Sequence, residues 1–253
     1  MVYNSLTEAP RNLKEGIDWF MALRGTDAEK NYRAMGAALY DFFEDKPVGK
    51  MELPALEKIK SISKEFMEQP ELKDRSYVKD LLGRYTKPMT RIWYPIVRSH
   101  VKTVKSNYRN FVKYKRLTPE DMAARVSRVG SSCEGFLKGI KAPDLYKSAY
   151  SSEASWEASC AKDPEACAIV LVGIAPMLHT GITSLWDASN PPLFGCGTHK
   201  VEEQLRKVLK ALGYVESECC TSLSRFNVRQ ALLNMHHYVL DTIYDFAAYW
   251  AFY

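Results

Sequence analysis

Residues 118–138 read TPEDMAARVSRVGSSCEGFLK, and this stretch decides the fold class. Thr118 offers a hydroxyl at an N-cap, and Pro119 has a ring that suits the first helical position. Glu120 and Asp121 place negative charge at the amino end of the helix dipole. Behind them Met122, Val126, Val129, Cys133 and the Phe136-Leu137 pair recur every three or four residues, so one face is apolar. The segment predicts an amphipathic helix running to about Lys138.

The same pattern repeats on both sides. Upstream, Leu13, Ile17, Phe20 and Met21 form one face of a helix closed by Gly25. Asp27 caps a second helix, with Tyr32, Met35, Leu39 and Phe42 or Phe43 inward, that ends before Pro47. Pro54 opens a third over Leu56, Ile59, Ile62 and Phe66, and Pro70 a fourth over Leu72, Tyr77, Val78, Leu81 and Leu82. A long helix is expected from about 89 to 114, with Pro95 in its first turns.

Downstream, the Ser-rich stretch 143–162 reads as partly loop. Asp163-Pro-Glu-Ala166 then starts a helix toward Trp186 that is apolar all round and hence central. Further helices start at Thr198, with Val201, Leu205, Val208, Leu209 and Leu212 inward and Gly213 as the stop, and at Ser224. The last is expected to run from about His236 to Trp250. No convincing alternating strand interrupts them. The expected fold is therefore all-α, a multi-helix bundle of about nine to ten helices.

Composition agrees. The 253 residues are 46% hydrophobic and 26% charged, which excludes a wholly disordered or collagenous chain. The chain reads as a single helical domain, 1–253. It divides into an N-terminal bundle 1–87, a basic helix with its partner 88–140, and a cysteine-containing part 141–253. The first residues show neither the basic nor the apolar region of a signal peptide. The longest apolar candidate, Ala168 to Leu178, falls short of the roughly 18 residues of a membrane span and reads as a buried helix. The apolar ending Trp250-Ala-Phe-Tyr253 suits an ectodomain whose targeting and anchoring segments lie outside this chain, or a terminal helix docked in the core.

Six cysteines, Cys133, Cys160, Cys167, Cys196, Cys219 and Cys220, all lie in the C-terminal half. An even number so confined suits disulfides in an oxidising compartment, with free thiols as the alternative. Cys160 with Cys167, either with Cys133, and Cys196 with Cys219 or Cys220 are possible pairings. Cys196, His199 and the adjacent Cys219-Cys220 are of zinc-ligand type. A CC pair does not reproduce the C-x2-C geometry, so no metal and no cofactor is expected.

Charge is distributed unevenly. From Leu81 to Pro119 there is no Asp or Glu, while ten Lys and Arg occur. Arg91, Arg98, Lys102, Lys105, Arg109, Lys113 and Arg116 step by 7, 4, 3, 4, 4 and 3, the period of one helical face. Either acids such as Glu65, Glu68, Glu71, Asp74 and Asp80 pair with this stripe, or it meets an anionic ligand such as a sulfated glycan. Nucleic acid is set aside, since no RNA-binding, zinc-finger or helix-turn-helix signature occurs. His100, His179, His199, His236 and His237 fall in no catalytic motif, so no enzyme is expected. His179, inside an apolar helix, reads as a core residue.

Two groups of segments carry a resemblance. Asn12-Leu-Lys-Glu-Gly-Ile-Asp-Trp19, led in by Leu6-Thr-Glu-Ala-Pro10, resembles the NLKEAIDW opening of Babesia variant erythrocyte surface antigens and related secreted piroplasm proteins. Cys160-Ala-Lys-Asp-Pro-Glu-Ala-Cys167, Leu205-Arg-Lys-Val-Leu209 and Ile243-Tyr-Asp-Phe-Ala-Ala-Tyr-Trp-Ala-Phe-Tyr253 are similar too. The resemblance implies a non-catalytic parasite antigen, secreted or on the infected erythrocyte surface. Such an antigen would mediate adhesion to a host cell-surface receptor, antigenic variation and immune evasion. The larger members' Cys/Lys-rich region, membrane span and tail have no counterpart here. The resemblance assigns no binding residues. The other expectation is a scaffolding module docking its basic helix on an acidic protein.

Overall fold

Helix starts written in the sequence become real caps. The computed structural model describes residues 2–86, 109–190, 198–219 and 224–253. It contains nine helices of eight or more residues and three helical segments of four or five. In order they are α1 Leu13–Arg24, α2 Ala28–Glu44, α3 Pro54–Met67, α4 Ser76–Thr86, α5 Phe111–Lys115, α6 Pro119–Ile140, α7 Trp156–Ser159, α8 Pro164–Ser189, α9 Thr198–Ala211, α10 Arg225–Leu232, α11 His237–Phe246 and α12 Tyr249–Phe252. No strand occurs among the described residues, only isolated bridges between Tyr3 and Tyr150 and between Lys141 and Cys219. The fold is all-α, as expected.

Each cap satisfies an amide that the helix leaves unpaired. Thr118 accepts from the Asp121 amide while Asp121 accepts from the Thr118 amide, a complete capping box. Asn12, Asp27, Ser155, Asp163 and Ser224 cap α1, α2, α7, α8 and α10 in the same sense.

α8 is the hub. It packs against α1, α2, α3, α4, α9, α10 and α11. By length and composition it could cross a membrane, contrary to the shorter reading of Ala168 to Leu178, because its whole 26 residues count. Here 78% of its apolar window is buried within the fold. The most extensive helix pair is α2 with α6. Gly36 and Gly130 bring these helices together: a Cβ on Gly36 would overlap the Ala123 backbone, and one on Gly130 would overlap the Tyr32 ring. The buried side chains form one core running from Tyr3 to Tyr253.

Three boundaries differ from expectation. α4 starts at Ser76 rather than at Pro70. Between them Gln69 accepts from the Leu72 and Lys73 amides, and Leu72 accepts from Arg75, so the chain spends these residues in successive turns. The last helix breaks after Phe246, because Ala248 takes the left-handed conformation at φ 49° and restarts the chain as α12. The long basic helix does not run through 109–110, as described below; its part from 89 to 108 lies outside the described residues.

The C-terminal segment is docked in the core. Trp250, Phe252 and Tyr253 are at most 3% exposed. The Trp250 and Ala251 carbonyls accept from Gly49 (2.9 Å) and Met51 (2.7 Å), and buried Lys60 donates to the Phe252 carbonyl at 2.6 Å. Phe252 stacks on Phe42, and Tyr253 meets Tyr85 edge to face.

Cys160 and Cys167 form a disulfide that joins the end of α7 to the first turn of α8. Cys133, expected among the bridge candidates, is a free thiol with no exposure; burial pushes its pKa far up. It sits within α6 close to the phenols of Tyr32 and Tyr214, which is a core position. Cys219 is buried where 218–219 run beside Lys141 and Ala142. Cys196 and Cys220 lie outside the described residues.

Candidate functional site

The last three cations of the basic stripe lie around α5. Asn110 organises this turn. Its Oδ1 accepts from the Val112 and Lys113 amides, capping α5, and its Nδ2 donates to the carbonyls of Phe43, Glu44 and Lys46 at the end of α2. One buried side chain thus ties the start of one helix to the end of another. A helix passing unbroken through 110 could not make these bonds, because Asn110 holds ψ near 108°. Phe111 and Val112 are buried, with Phe111 edge-on to Phe43 at 5.4 Å. Arg116 ends α5 in the left-handed conformation, φ 51°.

With the core side of α5 anchored, its polar residues face outward. Arg109, Lys113 and Arg116 are exposed and form no ion pair among the described residues. Arg109 lies over the half-exposed Tyr114 ring, 4.9 Å from its centroid. Lys115, between them in sequence, behaves differently: its Nζ reaches the buried Asp245 carboxylate at 2.7 Å, and Arg125 approaches the same oxygen at 3.7 Å. Of the acids named as partners for the stripe, Glu68 pairs locally with Lys64 and Asp74 with Lys79. Arg91, Arg98, Lys102 and Lys105 lie outside the described residues.

The arrangement suits ionic recognition: three cations and a tyrosine on a turn pinned by Asn110, without paired acids among the described residues. Its strength in water is modest, because exposed charges interact weakly and are screened by salt.

A second polar constellation was not anticipated. Asp18, 1% exposed on the core face of α1, accepts from the Tyr146 hydroxyl (2.6 Å), the Ala149 amide (2.9 Å) and Lys14 Nζ (3.4 Å). Lys14 also donates to the Lys147 carbonyl at 2.6 Å, lies over the Tyr146 ring and stands 3.4 Å from Glu218. Burial raises the Asp18 pKa against the lowering effect of these donors. Each group is held by the others, and the network straps the 146–149 loop and the 218 region to α1. The available signal was the Lys14–Asp18 spacing of one helical turn within an otherwise apolar face.

The histidines divide. His179 is half-buried in α8, edge-on to Tyr244 at 5.4 Å, and its Nδ1 is shut off from water without a hydrogen-bond partner among the described residues. Desolvation and the neighbouring Arg84 guanidinium lower its pKa to about 4, so the ring is neutral; it packs within the fold as expected, but its Nδ1 is left unsatisfied. His236 and His237 are exposed at the start of α11. Among the described residues no group of three His, Cys, Asp or Glu side chains could hold a metal ion. His100 and Cys196 lie outside these residues.

No family model matches the chain, and no curated protein or solved structure matches it.

Proposed function

We propose that the chain is an extracellular helical recognition domain that meets an anionic ligand, a sulfated glycan or an acidic host-cell receptor, through the cations around α5. The observation that carries this reading is a contrast within four residues: Lys115 is held by Asp245, whereas Lys113 and Arg116 are exposed without an ion pair among the described residues. The disulfide between Cys160 and Cys167 supports an oxidising compartment. The segments resembling Babesia variant erythrocyte surface antigens support a role as a variant antigen, secreted or displayed on the infected erythrocyte, in adhesion and immune evasion.

Heparin chromatography tests the ligand class. The wild type is expected to elute at higher salt than Lys113→Glu/Arg116→Glu and than Lys102→Glu/Lys105→Glu/Arg109→Glu. Equal elution of all three at low salt would overturn the glycan reading. Capture of an acidic protein without heparin affinity would replace it with the scaffolding alternative, in which the same basic segment docks on a protein partner.

A further inference from the structure

A second acid-free stretch runs from Cys219 to Leu240, and its described part contains the strongest exposed apolar feature of the fold. α10 is amphipathic in an unusual sense. Val228, Ala231 and Leu232, with Met235 just beyond, are at most 4% exposed and face α6 and α8. At 100° per residue the opposite side of the helix is centred on Phe226 and Leu233, seven residues apart. These are 66% and 59% exposed. Water-facing positions on a helix ordinarily carry polar side chains; here two large apolar residues, one in the first turn of α10 and one at its C-cap, line up on the exposed side as a ridge.

The surroundings are basic. Arg225 and Arg229 flank the ridge on the same helix; both are exposed and form no ion pair among the described residues. At the α11 end, Tyr238 is 41% exposed and the exposed Arg128 of α6 stands 4.5 Å from its ring. The α10 face therefore presents two apolar tips beside two arginines, with no acid on α10.

We propose that this face docks on an anionic lipid surface, with Phe226 and Leu233 entering the interface and Arg225 and Arg229 meeting the headgroups. Two arguments favour lipid over protein. The ridge is convex and only two side chains wide, far short of the roughly 800 Å² per partner that a stable protein interface buries. A lipid interface needs no complementary pocket, and it rewards apolar burial and positive charge together. The attachment is peripheral and reversible, and it is independent of the cations around α5.

Vesicle co-sedimentation tests this. The wild type is expected to partition onto phosphatidylcholine vesicles containing about 30% phosphatidylserine, and far less onto phosphatidylcholine alone. About 0.5 M NaCl is expected to release most of it. Phe226→Ser/Leu233→Ser and Arg225→Glu/Arg229→Glu are each expected to lower the partition coefficient roughly tenfold or more, while Lys113→Glu/Arg116→Glu binds as the wild type does. The altered positions are exposed, so all variants are expected to keep the wild-type circular dichroism spectrum and melting curve. No binding by the wild type would overturn the proposal, as would equal binding by Phe226→Ser/Leu233→Ser. A wild-type dimer that the same variant splits into monomers would reassign the ridge to a second copy of the chain.

Discussion

Lys60 and Lys113 have the same side chain in opposite settings. Lys60 is 4% exposed, yet every direction its ammonium faces is occupied: the Phe252 carbonyl at 2.6 Å, Glu57 at 2.8 Å and the Tyr253 ring at 4.5 Å. Lys14 is treated the same way beside Asp18, and Arg84 lies 4.3 Å from the Tyr249 ring centroid. Around α5, by contrast, Lys113 and Arg116 stand exposed without an ion pair among the described residues. A buried charge persists only where carbonyls, carboxylates and π faces replace its hydration, while an exposed one keeps its water and remains available to a partner. Interior cations therefore hold the fold together, whereas Lys113 and Arg116 keep their hydration.

The sharpest way to break this contrast is to remove an interior cation. Lys14→Met leaves Asp18 buried with only its Tyr146 and Ala149 donors, and it is expected to destabilise by about 3–5 kcal/mol in urea unfolding. A loss below about 1 kcal/mol would mean that Asp18 is neutral and needs no cation. Lys60→Met removes a charge-assisted bond to the Phe252 carbonyl, and a loss of about 2 kcal/mol is expected. Hydrogen exchange locates the damage, since the Gly49 and Met51 amides are bonded to Trp250 and Ala251 and should lose protection first.

Acid tests the interior from another side. Above pH 6.5 His179 is neutral in both states. Below that the unfolded chain takes up a proton which the native state, with its pKa lowered to about 4, refuses. Stability from this residue is therefore full above 6.5 and lost as pH falls toward 4, by about 2 kcal/mol at pH 5. His179→Gln should show a correspondingly flatter decline between pH 7 and 5. Comparing the two chains also separates His179 from Asp18, whose raised pKa acts in the opposite sense. The smallest effect belongs to the surface: Lys113→Glu/Arg116→Glu should change stability by less than about 0.5 kcal/mol while shifting heparin elution. A larger loss would show that these cations are structural after all.

Much of the helical layout was legible because its signals are local. A hydroxyl or carboxylate followed by Pro at the first position, as at Thr118-Pro119 and Asp163-Pro164, satisfies orphan amides within a few residues of itself. The all-round apolarity of α8 likewise announced a central helix. Two of the three misread boundaries are set at long range; the third, the start of α4, follows from local turns at 69–75. The stripe's regular spacing continues through residue 110, but Asn110 gives up helical geometry to bond carbonyls at the end of α2, some 64–67 residues away in sequence. Ala248 takes a left-handed turn where the neighbouring apolar residues carry the periodicity on, and α12 beyond it docks on Lys60, Gly49 and Met51.

The candidate sites follow the same division. Charge distribution along the chain pointed to the α5 cations, yet it did not say that Lys115 would be captured by Asp245 while its neighbours stayed exposed. It also gave no reason to set Phe226 and Leu233 apart from the other apolar residues of α10, since exposure is decided by which face α6 and α8 cover. By itself the sequence determined helix starts, the apolar faces and the uneven charge, all of which depend on neighbours within a turn or two. Only the tertiary structure decided which charges are neutralised, which thiol stays unbridged and which apolar side chains remain in water, because those outcomes depend on groups that meet across the fold.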